Sequence, residues 1–181
     1  MTTWVTSDLH FGHANIMKFC PQSRARFKND VDYMNEQMVL EWNATIAPED
    51  TVYILGDVAF LPAAKAVSIM RRLNGVKILI EGNHDRKLLN DPVFRSCFAE
   101  VYPYLCITYE KTRVVMFHYP IAEWDQMHRG AVHLHGHLHG GVSGMEKFRC
   151  RDMGMDATGM IAVTMERAIA DAMTGEIKGH H

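Results

Sequence analysis

Five short stretches of the chain gather side chains that bind cations. They are Asp8-Leu9-His10, Gly56-Asp57, Gly82-Asn83-His84-Asp85, His118-Tyr119-Pro120 and Gly136-His137-Leu138-His139. The donors are carboxylate and amide oxygens and imidazole nitrogens, with no sulfur among them. Such a set suits Mn, Fe, Zn or Ni and disfavours a soft thiolate centre. Seven such ligands are too many for one tetrahedral zinc, which takes about four. Two ions sharing a bridge would use them all. A pair of dications about 3.5 Å apart repels by roughly 20 kcal/mol at an effective dielectric of about 20, so a bridging carboxylate and hydroxide are needed to hold it. Such a centre keeps a net positive charge and is suited to receive an anion.

A single motif of this kind would carry little weight. An Asp or Asn after a strand is usually a turn residue or helix cap, and a lone His is usually a packed or solvated side chain. The argument lies in position. Strands are predicted at Trp4–Ser7, Thr51–Leu55, Val76–Glu81, Arg113–Phe117 and Ala131–His135, from short apolar runs with β-branched residues, and each runs directly into one of the five motifs. If they share one sheet and one edge, the donors converge where α/β folds place ligands. Gly56, Gly82 and Gly136 would let the backbone turn there.

Between the first two strands, Val31, Met34, Met38 and Trp42 recur at three- and four-residue steps and predict a helix over Val31–Ile46. A second helix is expected over Ala63–Leu73, ending near Asn74-Gly75. Tyr104–Thr108 and Arg113–Phe117 flank Tyr109-Glu110-Lys111-Thr112 as a hairpin. Gly140–Gly144 reads as a loop, Phe148–Met155 as the place of another short strand and Val163–Met173 as a C-terminal helix. The α/β start followed by consecutive hairpins predicts an α/β (α+β) fold of two packed mixed β-sheets flanked by helices.

The 181 residues suit one domain, and 48% hydrophobic with 22% charged residues is ordinary globular composition. A formal net charge of −2 gives no pull toward nucleic acid or anionic membrane. Cys20, Cys97, Cys106 and Cys150 are scattered and read as reduced thiols. With no leader-like start and no apolar run of about 20 residues, a cytoplasmic protein is expected. The methionines read as core filler. Of the eleven histidines, four fall between His133 and His139. His135 is a candidate for orienting the nearby ligands, and His128 reads as a surface residue. His180 and His181 are native or the remains of a tag.

In order, Asp8-x-His10, Gly56-Asp57, Gly82-Asn83-His84-Asp85, His118 and Gly136-His137-x-His139 resemble the motif set of the calcineurin-like metallophosphoesterases. The stretches Asp8–Ile16 and Met34-Asn35-Glu36 are similar to a small branch of stand-alone bacterial and phage phosphoesterases. The resemblance implies an αββα sandwich with a two-metal site at its rim. It implies that Asp8, His10 and His139 hold one ion, that Asn83, His118 and His137 hold the other, and that Asp57 bridges them. His84 would protonate the leaving oxygen, oriented by Asp85. Protein phosphatases of the family continue the second motif as Gly-Asp-x-x-Asp-Arg-Gly. Here Gly56-Asp57-Val58-Ala59-Phe60-Leu61 lacks that arginine, which disfavours a protein substrate.

The expected reaction is hydrolysis of a phosphate ester by attack of a metal-bridging hydroxide, with two divalent ions, Mn first and Fe, Zn or Ni as alternatives. A phosphodiesterase acting on a small or nucleotide-like substrate leads, ahead of a phosphomonoesterase and a nuclease. The non-enzymatic alternative is a scaffold of the same fold. Residues 11–30 read as a specificity loop carrying His13, Asn15, Lys18, Arg24 and Arg26, with His13 and Arg26 the candidate substrate contacts. Tyr119 could reach a substrate oxygen but reads better as packing.

Overall fold

Short runs rich in apolar and β-branched residues form most of the nine strands in the computed structural model, which describes residues 1–179; His180 and His181 lie outside the described residues. β1 (Thr3–Thr6), β2 (Thr51–Ile54), β3 (Val76–Ile80) and β4 (Glu100–Tyr102) pair in parallel, and β9 (Val163–Thr164) adds antiparallel to β1, giving the order β4-β3-β2-β1-β9. The second sheet runs β5 (Leu105–Tyr109), β6 (Thr112–Met116), β7 (Val132–His135), β8 (Cys150–Asp152). In it β5 and β6 form a hairpin about Glu110-Lys111, while β6 with β7 and β7 with β8 are parallel. The helices are α1 (Ile16–Phe19), α2 (Pro21–Arg24), α3 (Val31–Thr45), α4 (Ala63–Met70), α5 (Arg86–Leu89), α6 (Pro92–Arg95), α7 (Met155–Thr158) and α8 (Met165–Met173).

α3 starts where the Asp30 carboxylate accepts from the amides of Asp32 and Tyr33, a cap contributing about 1 kcal/mol. Its Met34, Met38 and Trp42 are buried as the spacing predicts and pack with Met70 and Phe94 against Val52, Ile54 and Leu79 of the first sheet. A second core lies between the sheets, where Val5, Leu55 and Ile80 meet Val114, Met116, Val132 and Leu134, with α8 contributing Met165, Ala168, Ile169 and Ala172. The far face of the second sheet is covered by Trp124 and Met127. Two mixed sheets flanked by helices are thus present. The four cysteines are free, and no helix among the described residues is long and apolar enough to cross a membrane.

Several expectations change. The five motif-bearing strands do not share one sheet: β1, β2 and β3 lie in the first, β6 and β7 in the second. There is one hairpin rather than a succession, because the segments after β6 and β7 cross back and make parallel pairs. β4 and β9 had no clear signal. Val163-Thr164 joins the first sheet, so the last helix begins at Met165, where Thr164 Oγ1 accepts from the Arg167 amide. α4 ends at Met70, before Asn74-Gly75. Asn74 instead donates to the Ile46 carbonyl and accepts Trp42 Nε1–H on its own, tying the end of α3 to the turn into β3.

Parallel pairing sets the carboxyl ends of β1, β2 and β3 on one edge, and those of β6 and β7 meet them across the inter-sheet core. The approach is close. A Cβ on Gly82 would lie 2.4 Å from Asp57 Oδ1, and one on Gly136 would lie 1.9 Å from Ser7 Oγ and 2.5 Å from Asp8 Oδ2. Gly136→Ala should therefore lower unfolding free energy by about 1–3 kcal/mol, read from urea denaturation. Wild-type stability would mean that the two strand ends can separate freely.

Candidate metal centre

The loops that follow the strands take an unusual backbone path. Asp8, His10, Asp57, His137 and His139 have positive φ values of 56, 53, 55, 74 and 50°. Short polar residues tolerate the left-handed region better than most, but each still costs on the order of 1 kcal/mol. That strain turns the side chains inward instead of along the strand.

The result is two adjacent triads, each with ligand atoms mutually within 4.8 Å: Asp8, His10 and His139, then Asp57, His118 and His137. Asp57 lies between them. Its Oδ2 is 3.8 Å from His10 Nε2, and its Oδ1 is 3.6 Å from His118 Nε2. His10 Nε2 and His139 Nε2 stand 3.7 and 3.9 Å from Asp8 Oδ1, too far for hydrogen bonds. Asn83 joins the second triad, with its Oδ1 3.0 Å from His118 Nε2. His118 Nδ1 faces the Leu55 carbonyl at 2.7 Å. With the proton there, Nε2 and the amide oxygen turn lone pairs toward the same point.

These residues fit divalent cations. Asp8 Oδ1 and both ring nitrogens of His10 are buried without hydrogen-bond partners, a costly arrangement unless something positive lies among them. Burial pushes His10 and His137 below the ordinary imidazole range, which keeps their lone pairs free of protons near neutrality. A third grouping of Cys20, His139 and Asp156 is a poorer ligand set. Burial pushes the Cys20 thiol up to about 11, and Asp156 is already occupied by its neighbours.

Asp156, at the start of α7, is the functional residue that sequence reading misses. Its Oδ2 accepts from His139 Nδ1 at 2.8 Å, fixing the ring so that Nε2 faces Asp8. Burial alone would lower the His139 pKa, but the Asp156 hydrogen bond and the Asp8 charge outweigh it and raise it. Asp156 is in turn held by Arg24, whose Nε and Nη2 reach it at 2.7 and 2.9 Å. Arg24 also donates to the carbonyls of Asp8 and Leu9 at 2.7 and 3.0 Å. It is fully buried, so, although it falls in the expected specificity loop, it is a brace beneath the centre.

Other assignments need correction. Asp85 does not touch the His84 ring. Its carboxylate accepts from the amides of Asp57, Val58 and Gly82, each at 2.9 Å, and so staples the ends of β2 and β3 together. Burial raises its pKa against the pull of those amides. Arg26 is turned away, with both terminal nitrogens on Glu41 at 2.6 and 2.9 Å. His135 holds the Gly136 carbonyl and no ligand side chain. His13 does reach the rim, stacked on Phe60 at 4.1 Å and 5.3 Å from the His10 ring. Phe60 also lies beside His10 and His84, a central position that nothing in its sequence context marks. Asn35 accepts the Gly12 amide at 2.8 Å and steadies the same loop. His84 is half exposed at the mouth, its amide bonded to Asp57 Oδ1 at 3.0 Å and its Nε2 3.9 Å from Asp57 Oδ2. Tyr119 stands against His118 and His137.

No protein-family profile matches the chain. It is 33% identical to the uncharacterized protein MJ1445 of Methanocaldococcus jannaschii over 138 residues, 75% of this chain and 68% of that one. It is 26% identical to the gene 66 protein of Mycobacterium phage L5, covering 76% of this chain and 77% of that one. Among solved structures, AQ665 of Aquifex aeolicus, a protein of unknown function, superposes with a TM-score of 0.72 at 25% identity over 93% of this chain and 97% of its own. The phosphoesterase YfcE of E. coli gives a TM-score of 0.44 at 17% identity, over 91% and 82%, too loose a likeness to bear on the site.

Two substitutions test the support of His139. Asp156→Asn should weaken one cation site by about 10–100-fold in a calorimetric Mn titration and spare the other. Arg24→Ala, which strips a buried carboxylate of its partner, should cost about 3–5 kcal/mol of stability in urea unfolding. Unchanged affinity at both sites in Asp156→Asn would dismiss its orienting role.

Proposed function

The chain belongs to the family of the Methanocaldococcus jannaschii protein MJ1445, and we propose from its site geometry that it is a metal-dependent phosphoesterase, most suited to phosphodiesters of small or nucleotide-like alcohols. The observation that carries this reading is the pair of Asp/His triads meeting at Asp57, with an unbonded buried carboxylate oxygen on Asp8 and a half-exposed imidazole alongside. Asp8, His10 and His139 would hold one divalent ion. Asn83, His118 and His137 would hold a second, with Asp57 shared, and Mn is the first choice for a set of hard oxygens and imidazoles. When bound, such ions supply Lewis acidity toward phosphoryl oxygens and a nucleophile from water near neutral pH.

The chain's own residues do the rest. The imidazoles and the two carboxylates fix where an anionic phosphoryl group can sit. His84, held by its amide to Asp57 but with its ring free at the mouth, gives a proton to the departing oxygen. His13, stacked on Phe60, lines the approach and contacts substrate. Asp85 acts through backbone alone, keeping Asp57 and Gly82 in register.

The test uses purified protein with Mn, Ni, Zn or Fe added, against bis-p-nitrophenyl phosphate and p-nitrophenyl phosphate. The diester should be preferred; hydrolysis of neither with any ion would end the proposal. His84→Ala should lower kcat by about 10²–10⁴ while Mn content, by elemental analysis, stays the same. Loss of metal with activity would make His84 a ligand instead.

A further inference from the structure

A cavity of about 700 Å³ opens beside His84. This is within the volume range of small-ligand sites. It is lined by Asn83 and His84, by the apolar Phe60, Leu61, Pro62 and Leu88, and by Arg86 and Lys87 of α5. Its lining thus combines the proposed general acid, apolar surface and two cations. Arg86 shares Nε with Glu81 at 3.3 Å, and both cations are solvent-exposed.

We propose that this cavity is the leaving-group subsite, and that it selects phosphodiesters whose departing alcohol carries both a ring and a negative charge, as a nucleotide does. The inference rests on the phosphoesterase reading and follows from where His84 stands. In hydrolysis the oxygen of water bonds to phosphorus and the bond from phosphorus to the alcohol oxygen breaks. The electron pair goes to that oxygen, which takes the proton from His84, and water gives up a proton to solvent. The group that accepts the His84 proton must lie on the His84 side, and this cavity, which His84 itself lines, opens there. Phe60 and Leu61 offer a face for a ring, and a phosphate one nucleotide away from the scissile bond would meet Arg86 and Lys87. A neutral alcohol would bring no phosphate to either cation, leaving Arg86 only its contact with Glu81.

The pair pTpT and TpT separates these cases, because cleavage of the 3′ ester bond releases 5′-TMP from the first and thymidine from the second. With Mn-loaded protein, kcat/KM for pTpT should exceed that for TpT by about 3–10-fold, the modest gain expected of exposed ion pairs. In the Arg86→Ala/Lys87→Ala double variant the ratio should fall to about one. A wild-type ratio near one, or a ratio that survives the double substitution, overturns the subsite. Direct binding of 5′-TMP by calorimetry gives a second reading that needs no turnover. Binding should weaken in Arg86→Glu/Lys87→Glu, and equal binding to both proteins refutes the assignment. Absence of any diester hydrolysis with intact 5′-TMP binding would count against the catalytic reading instead, so the two failures are distinct.

Discussion

Two carboxylates shut away from water set the terms for the rest of this molecule. Asp8 and Asp57 are buried to within a few per cent, and one Asp8 oxygen has no hydrogen-bond donor at all. An ionised carboxylate in such surroundings is costly unless charge or donors compensate. The histidines around them do not supply protons at neutral pH where burial depresses their basicity, as it does at His10 and His137. A bound cation would compensate them, and the architecture holds both carboxylates in place for one.

The arrangement works through the main chain more than through side-chain pairs. Arg24 grips the carbonyls of Asp8 and Leu9 from below, Asn35 holds the Gly12 amide, and Asp85 collects three amides at the ends of β2 and β3. These contacts stabilise loops whose left-handed residues would otherwise relax. The helices behind them serve the same end, since α2 delivers Arg24, α3 delivers Asn35 and α7 delivers Asp156.

Much of this was legible in the sequence, for identifiable reasons. Apolar runs ending in Asp, Asn or His marked β1, β2, β3, β6 and β7 within a residue or two, because strand signals are local. The Met34, Met38 and Trp42 spacing marked α3 for the same reason. What failed was non-local. Parallel pairing of β6, β7 and β8 depends on crossovers with no short-range signature, and β4 and β9 are too short for a period to show. Among site residues, an Arg buried beneath the centre and an Arg on its surface look alike in sequence. The sequence sets Arg24 and Arg26 in one loop and offers Arg26 as the substrate contact, although Arg24 braces Asp156 and Arg26 meets Glu41. Asp85 follows His84 directly and invited a contact that the turn geometry does not make. Asp156 lies far beyond the last motif, and only the fold brings it to His139.

The donors are divided between two sheets, Asp8, His10, Asp57 and Asn83 following strands of the first and His118, His137 and His139 following strands of the second. An ion held by both groups would be a rivet through the sandwich, present in the folded chain and lost on unfolding. At a free concentration 100-fold above its dissociation constant it would add about 2.7 kcal/mol to the folded state. Resistance to heat and proteolysis would then track the supply of cation in the surroundings.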